Sequence, residues 1–448
     1  MSSDANAPDR TIGLFGAVIT LVGFVVGASI YILPGAIAAS AGPGVVISYG
    51  IACLLALFSC IVAAQIGVAY PASGASFVII GRLVSPFIGF LLVWMMIGAA
   101  AVAIALLGYG FADYVGVWIS GGHRSLIGGG VIILFTIVNL LGARETLSAQ
   151  SAMVFAFTFA LLLFSGAGLL NAAPENFAPF LPNGVAPALA GAVPAFFSFA
   201  GFLLIIELGG EIKNPGRTIP LSLALSFLTV FLIYALVSLA LVGVIPWTEL
   251  STIDAPIAEA AARILPGPVA NFISLTALAA TVSSINAMLM GYSRDVFVLA
   301  RGGVLPEIMA TTIGRHGTPI GGVLTISALG LGAFLCGAKI TDYATFVVVG
   351  LLLLQIGLGA AAIVLARSDN YQRLKNTFRM PPLVFGLFSL GLIVLSLAFM
   401  ALVMRGAMAT AVAAGVYLAF GIAYYVWRKQ NLKGGDRPLE QRLNDVLG

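Results

Sequence analysis

The chain has 448 residues, of which 60% are hydrophobic and only 8% charged, and its mean hydropathy is +1.09. Soluble domains carry charge on about a quarter of their residues, so this composition excludes a soluble globular protein and describes an integral membrane protein. The formal net charge of +4 calls for no nucleic-acid partner, because basic loops on one side of a membrane account for it.

Apolar segments recur along the whole sequence, each long enough to cross a hydrocarbon core of roughly 30 Å as a helix. Twelve are predicted, at residues 13–39, 44–70, 85–112, 125–142, 147–170, 187–210, 219–244, 268–292, 319–338, 343–366, 383–404 and 407–427. None shows the alternation over about 10 positions that marks a barrel strand. The expected fold class is therefore an all-α membrane protein with twelve transmembrane helices. Residues 1–12 have no basic region leading into a short apolar stretch and a cleavage site, so they read as a retained cytoplasmic tail. Residues 13–427 read as a single transmembrane domain and 428–448 as a charged cytoplasmic tail. Cys53, Cys60 and Cys336 fall in or at the end of predicted segments and suggest no disulfide framework.

An even number of segments puts both termini on one side. Roughly 17 of the 21 basic residues then share that side, leaving Arg124, Arg263, Lys339 and Arg405 opposite. The termini are accordingly expected in the cytoplasm, with the protein in the inner or plasma membrane.

The first segment carries Gly27-Ala28-Ser29 at its centre, within VVGASIYILPG. The sixth carries Ser198 to Phe202, SFAGF, in the matching place. Glycine beside small or hydroxyl residues lowers the cost of leaving helical geometry by about 1 kcal/mol relative to alanine. Small residues also permit close helix packing, which is the commoner explanation for any one glycine. Two such sites five segments apart point to inverted repeats, residues 13–170 and 187–366, with helices 11 and 12 (383–427) outside them.

A break exposes amides at the start of one half-helix and carbonyls at the end of the other. Amides after Gly27, near Ile30, suit a carboxylate. Carbonyls at Val25 and Val26, and around Ser198, Phe199 and Ala200, suit an ammonium or a cation. A zwitterion matches both. Phe197 and Phe199 can cover such a pocket or simply pack in the bundle core.

Glu207 is the acidic residue placed inside a segment, where a carboxylate needs a proton or a partner. It can carry a proton, read a cationic substrate or hold a gate; pairing with Lys213 or an arginine near the cytoplasm is the plainer reading. In the eighth segment Ser283, Ser284 and Asn286 interrupt apolar sequence. With Val26 the two serines can complete a sodium site, or they can satisfy their own helix. No HExxH, phosphate-binding glycine loop or His/Cys cluster is found, so an enzyme is not expected, and no cofactor beyond a coupling ion, sodium or proton, is implied.

The blocks VGASIYILPG, AYPASGASFV, FFSFAGF with GGEIKNPGRTIP, and ARGGVLPEIM with RHGTP resemble the amino acid/polyamine/organocation (APC) permeases, with the leucine-transporter type of fold. The resemblance implies five-plus-five inverted repeats with broken helices 1 and 6. It also implies a carboxylate held at Gly27, Ala28, Ser29 and Ile30, an ammonium facing carbonyls of both breaks, and an aromatic gate at Phe197. Where relatives often read Gly-Ser-Gly this chain has Gly27-Ala28-Ser29. The lysine of proton-coupled relatives falls on Phe157, the polar position after the second break on Leu203, and the sodium-ligand hydroxyl on Met288 or, one turn away, Ser284. The expected function is secondary active transport of a small amino acid by alternating access. A cationic amino acid or polyamine read by Glu207 is the alternative, and a passive channel or sensor a third. Membrane lipids are the expected surroundings; substrate identity and oligomeric state stay open.

Overall fold

Proline and glycine punctuate the chain. Pro86, Pro215, Pro256 and Pro382 each open a helix, where a missing N–H costs nothing. Gly42 ends another with φ 62°, a conformation that favours glycine, and a side chain there would also strike Pro182 at 2.6 Å. The computed structural model describes residues 10–70, 75–119, 123–141, 147–313, 318–368, 371 and 378–432.

The helices in order are α1 (Leu14–Val25), α2 (Ser29–Ala41), α3 (Val45–Ala69), α4 (Ala75–Leu83), α5 (Pro86–Val115), α6 (Arg124–Leu140), α7 (Leu147–Leu170) and α8 (Val185–Phe197). They continue as α9 (Leu204–Glu207), α10 (Pro215–Val244), α11 (Pro256–Ile264), α12 (Gly267–Arg301), α13 (Ile320–Leu335), α14 (Ile340–Ala366), α15 (Pro382–Gly406) and α16 (Met408–Asn431). A two-residue strand pair, Thr312–Ile313 with Thr318–Pro319, is antiparallel.

Among the described residues eight helical stretches are long and apolar enough to cross a membrane, or nine when Val185–Phe197 and Ala200–Ile206, bent by 40°, count as one. One of the eight is Ser29–Ala69, 41 residues long. As an unbroken helix it would measure about 60 Å, twice the hydrocarbon thickness; the turn Gly42–Gly44 divides it into α2 and α3. The helices α1, α6 and α13 are apolar but shorter.

Packing pairs recur in two copies. The helix α3 packs on α8 as α10 packs on α1; α5 packs on α14 as α12 packs on α7; α5 meets α13 as α12 meets α6. α15 lies on α14 and α3, and α16 on α14 and α5. Their outer faces, Leu387, Leu390, Val394, Val416 and Phe420 among them, are exposed, as suits a lipid-facing surface. At the other extreme the interior is filled by large apolar side chains such as Phe90, Phe164, Phe196 and Phe202.

Three features add to or depart from the sequence expectation. The eighth segment, expected to end near residue 292, continues as α12 to Arg301, because the polar turns after Met290 keep helical geometry until Gly302 and Gly303, whose φ is 72°. The short helices α4 and α11 were not expected: neither is long enough to span, and α11 alternates buried Ile257, Ala260 and Ala261 with exposed Glu259 and Arg263. Finally, Ile12 lies in the membrane-proximal chain end but pairs with the loop after α9, Ile12 N donating to Glu211 O (2.9 Å) and Lys213 N to Ile12 O (2.8 Å).

Candidate functional site: two helix breaks that meet

The helix α1 ends at Val25, and α2 begins only at Ser29. Val26 has φ −79° and ψ 62°, outside helical geometry, while its N–H still caps Val22 O. Val25, Val26, Gly27, Ala28, Ser29 and Ile30 are all buried. Among the described residues the amides of Gly27, Ala28, Ser29 and Ile30 donate to no backbone carbonyl; the first bond of the new helix is Tyr31 N to Ala28 O at 3.0 Å. These free donors stand at the positive end of α2, the arrangement that attracts an anion.

The second break has a different form. α8 ends at Phe197, Ser198 and Phe199 make turns, and Ala200–Leu203 is a 3-10 stretch before the single turn of α9. Phe199 has φ −100° and ψ 2°. Ser198 N and Phe199 N donate to Ala195 O and Phe196 O, both at 3.0 Å, so the end of α8 tightens to bonds three residues back. Phe197, Ser198, Phe199, Gly201 and Leu203 are buried, and Ala200 is half-buried. The ring of Phe199 packs edge-on against Tyr49 (6.3 Å) and Tyr234 (5.1 Å). Phe199 thus sits in an aromatic cluster.

The two breaks touch. A side chain at Gly201 would meet Phe24 and Val25 at 2.8 Å and Val25 N at 3.0 Å, so only glycine lets α1 approach this closely. Tyr234 of α10 joins them by hydrogen bonds: its hydroxyl stands 2.6 Å from Val25 O and 2.9 Å from Ser198 O. One proton serves two carbonyls, one from each break. The Val25 and Ser198 carbonyls, expected to face a ligand, each stand within reach of the Tyr234 hydroxyl and keep a second lone pair. Ser198 Oγ and Tyr49 Oη are buried without a hydrogen-bond partner among the described residues.

Tyr234 was not singled out from the sequence. Its only signal is a hydroxyl-bearing ring in the aliphatic run FLIYALV, since a buried tyrosine needs a partner for its O–H. Neither the partner nor the position could be read without the fold.

The eighth-segment residues divide. Ser284 faces the first break: a side chain at Gly27 would lie 2.7 Å from Ser284 Oγ, although that hydroxyl donates to Ala280 O of its own helix at 2.9 Å. Ser283 is half-buried beside it. Asn286 turns elsewhere, accepting from Asn139 Nδ2 of α6 at 2.8 Å. Glu207 closes α9; its side chain lies outside the described residues. Phe157, where proton-coupled relatives carry lysine, is buried, and its carbonyl lies 3.5 Å from Tyr31 Oη.

The sequence pattern of amino acid permeases matches residues 16–434. The chain belongs to the amino acid permease family. That places it in the APC superfamily, whose members are transporters and not enzymes. This permease is 27% identical to the branched-chain amino acid permease BcaP of Bacillus subtilis, over 86% of its own chain and 87% of that protein. It is 29% identical to the methylthioribose transporter of the same organism, over 85% and 86%. It is also 31% identical to the chloroplastic cationic amino acid transporter 9 of Arabidopsis thaliana, over 69% of this chain but 58% of that one. The names of these relatives span three kinds of cargo.

Proposed function

We propose that this permease is a secondary active transporter that carries a small neutral amino acid across the cytoplasmic membrane by alternating access around the two breaks. The observation that carries this reading is the meeting of the breaks, with unpaired amides of Gly27 to Ile30 beside them. The amides would hold the carboxylate. The ammonium would face carbonyls of both breaks, at Val25 and Val26 and at Ser198, Phe199 and Ala200, reaching those of Val25 and Ser198 through the lone pair that Tyr234 leaves. Phe197 and Leu203 would supply apolar walls, which favours a neutral cargo.

A twelve-helix, five-plus-five inverted repeat is part of the same reading. Its support is the doubled packing: each of the three pairs of contacts maps onto the other when every span is exchanged for the one five places away. Repeats so related can rock against each other around a site at their interface. Basic loops put both termini in the cytoplasm. Sodium at Val26, Ser283 and Ser284 is the coupling ion that the geometry favours, because Ser284 lies against Gly27 while Phe157 removes the lysine route. A cationic amino acid or polyamine read by Glu207 is the second reading, supported by the relative named for cationic cargo.

Purified protein in liposomes decides between them. Uptake of labelled leucine, competed by neutral amino acids and unaffected by arginine, with Glu207→Gln leaving the pattern unchanged, is the expected result. Competition by arginine that disappears in Glu207→Gln would establish the second reading. Failure to accumulate any substrate under a sodium or proton gradient would overturn the pump and favour a channel or sensor.

A further inference from the structure

A cavity of about 300 Å³ opens at the end of the bundle away from the termini, distinct from the breaks. Ser40 of α2, Pro187 and Ala190 of α8, Asp342 and Thr345 of α14 and Gly406 of α15 contribute to its wall. That volume is at the lower end of small-molecule sites, roughly 300 to 1,000 Å³.

The charged group of the lining is Asp342, which stands among the hydroxyls of Ser40, Thr341 and Thr345. Asp342 makes no ion pair or hydrogen bond through its carboxylate among the described residues. Ser40 Oγ donates its proton to Ile37 O at 3.1 Å, and Thr345 Oγ1 donates to Thr341 O at 2.7 Å. Both hydroxyls therefore have only lone pairs left to offer. The carboxylate and the two committed hydroxyls offer acceptors, and the Thr341 hydroxyl on the same wall can accept as well as donate, so a group with several N–H donors and a positive charge complements them. Ile37, Val193, Pro194 and Leu402 complete an apolar wall suited to a hydrocarbon body. Placement in the first turn of α14 stabilises that helix's N-terminus, but it does not account for the open volume in front of Asp342.

We infer that this cavity is a second binding site, for a small primary amine with an apolar body, with the ammonium on Asp342. Two of its walls, α2 and α8, are the half-helices that adjoin the breaks. An occupant braces them against each other, so binding there is linked to any movement of either half-helix.

The probe is phenethylamine, with 2-phenylethanol as its neutral counterpart, titrated against the purified full-length protein by thermal unfolding. The expected result is a saturable rise in melting temperature with the amine and none with the alcohol. Asp342→Asn should weaken the amine by at least about tenfold, and Asp342→Glu should largely restore it. Ala190→Phe, which fills the cavity from a position on the exposed face of α8, should abolish the shift independently of charge. No saturable shift in the wild type, equal binding of the alcohol, or wild-type affinity in both Asp342→Asn and Ala190→Phe overturns the inference. So does loss of the shift in Gly27→Leu with retention in Asp342→Asn, which would put the amine at the breaks.

Discussion

At the scale of single residues, Gly27 and Ser284 set the space beside the first break. A β-carbon at residue 27 would lie 2.7 Å from Ser284 Oγ, closer than side-chain atoms tolerate, and overpacking of this kind costs about 1 to 3 kcal/mol. Gly27→Leu is expected to lower substrate affinity roughly tenfold or more while the protein still folds, as measured by uptake and by melting temperature. Gly27→Ala should do less. Its loss should be partly recovered in Gly27→Ala/Ser284→Ala, since the second change removes the oxygen in the way. Equal losses in the single and double variants would show that Ser284 does not bound the site. Gly27, Gly201 and the small residues beside them were legible in the sequence because interruption of an apolar run is a local signal. Tyr234 was not, because its role lies in a contact with residues about 36 and 209 positions away.

At the scale of elements, the link between α5 and α6 is the buried ion pair of the described part of the molecule. Arg124 opens α6 and reaches Asp113 in the last turn of α5 with two nitrogens, Nη2 at 2.7 Å from Oδ2. The Asp113 side chain is 2% exposed and that of Arg124 46%. Arg124 also lies 5.1 Å over the Tyr109 ring, and the neighbouring Tyr114 donates to Tyr31 O of α2 at 2.8 Å. The two halves of the pair are therefore unequal. Arg124→Ala leaves a carboxylate without its counter-charge in a buried place, a loss that reaches about 3 to 5 kcal/mol for a fully buried pair and less here because the arginine is half in water. Asp113→Asn leaves a guanidinium that water can solvate. Thermal unfolding is expected to show the larger drop for Arg124→Ala, with Arg124→Ala/Asp113→Asn intermediate. The reverse order would mean that the arginine's contact with Tyr109 carries the stability. This pair escaped the sequence reading because Asp113 and Arg124 both stood in the predicted loop between the segments 85–112 and 125–142, where charge is ordinary; only burial distinguishes Asp113.

At the scale of the whole molecule, orientation is testable with a native reporter. Cys336 is exposed at the end of α13 away from the termini, whereas Cys53 and Cys60 are buried. With cytoplasmic termini Cys336 faces outward, so a membrane-impermeant maleimide added to intact cells is expected to label it, and Cys336→Ser to abolish the labelling. Labelling only after the cells are opened would invert the topology.

What the sequence by itself determined is whatever depends on the chain's neighbours in order: that the protein lives in lipid, roughly where its long apolar helices run, and that two of its apolar runs are interrupted. These follow from hydropathy over about 20 residues and from local backbone cost. Only the tertiary structure decided which groups meet. Packing α1 against Gly201 brought the breaks together, Tyr234 came to bridge a carbonyl of each, and Asn286 turned to Asn139. Such outcomes depend on the distances between helices that are far apart in sequence, and in a low-dielectric interior each polar group takes the partner that those distances allow.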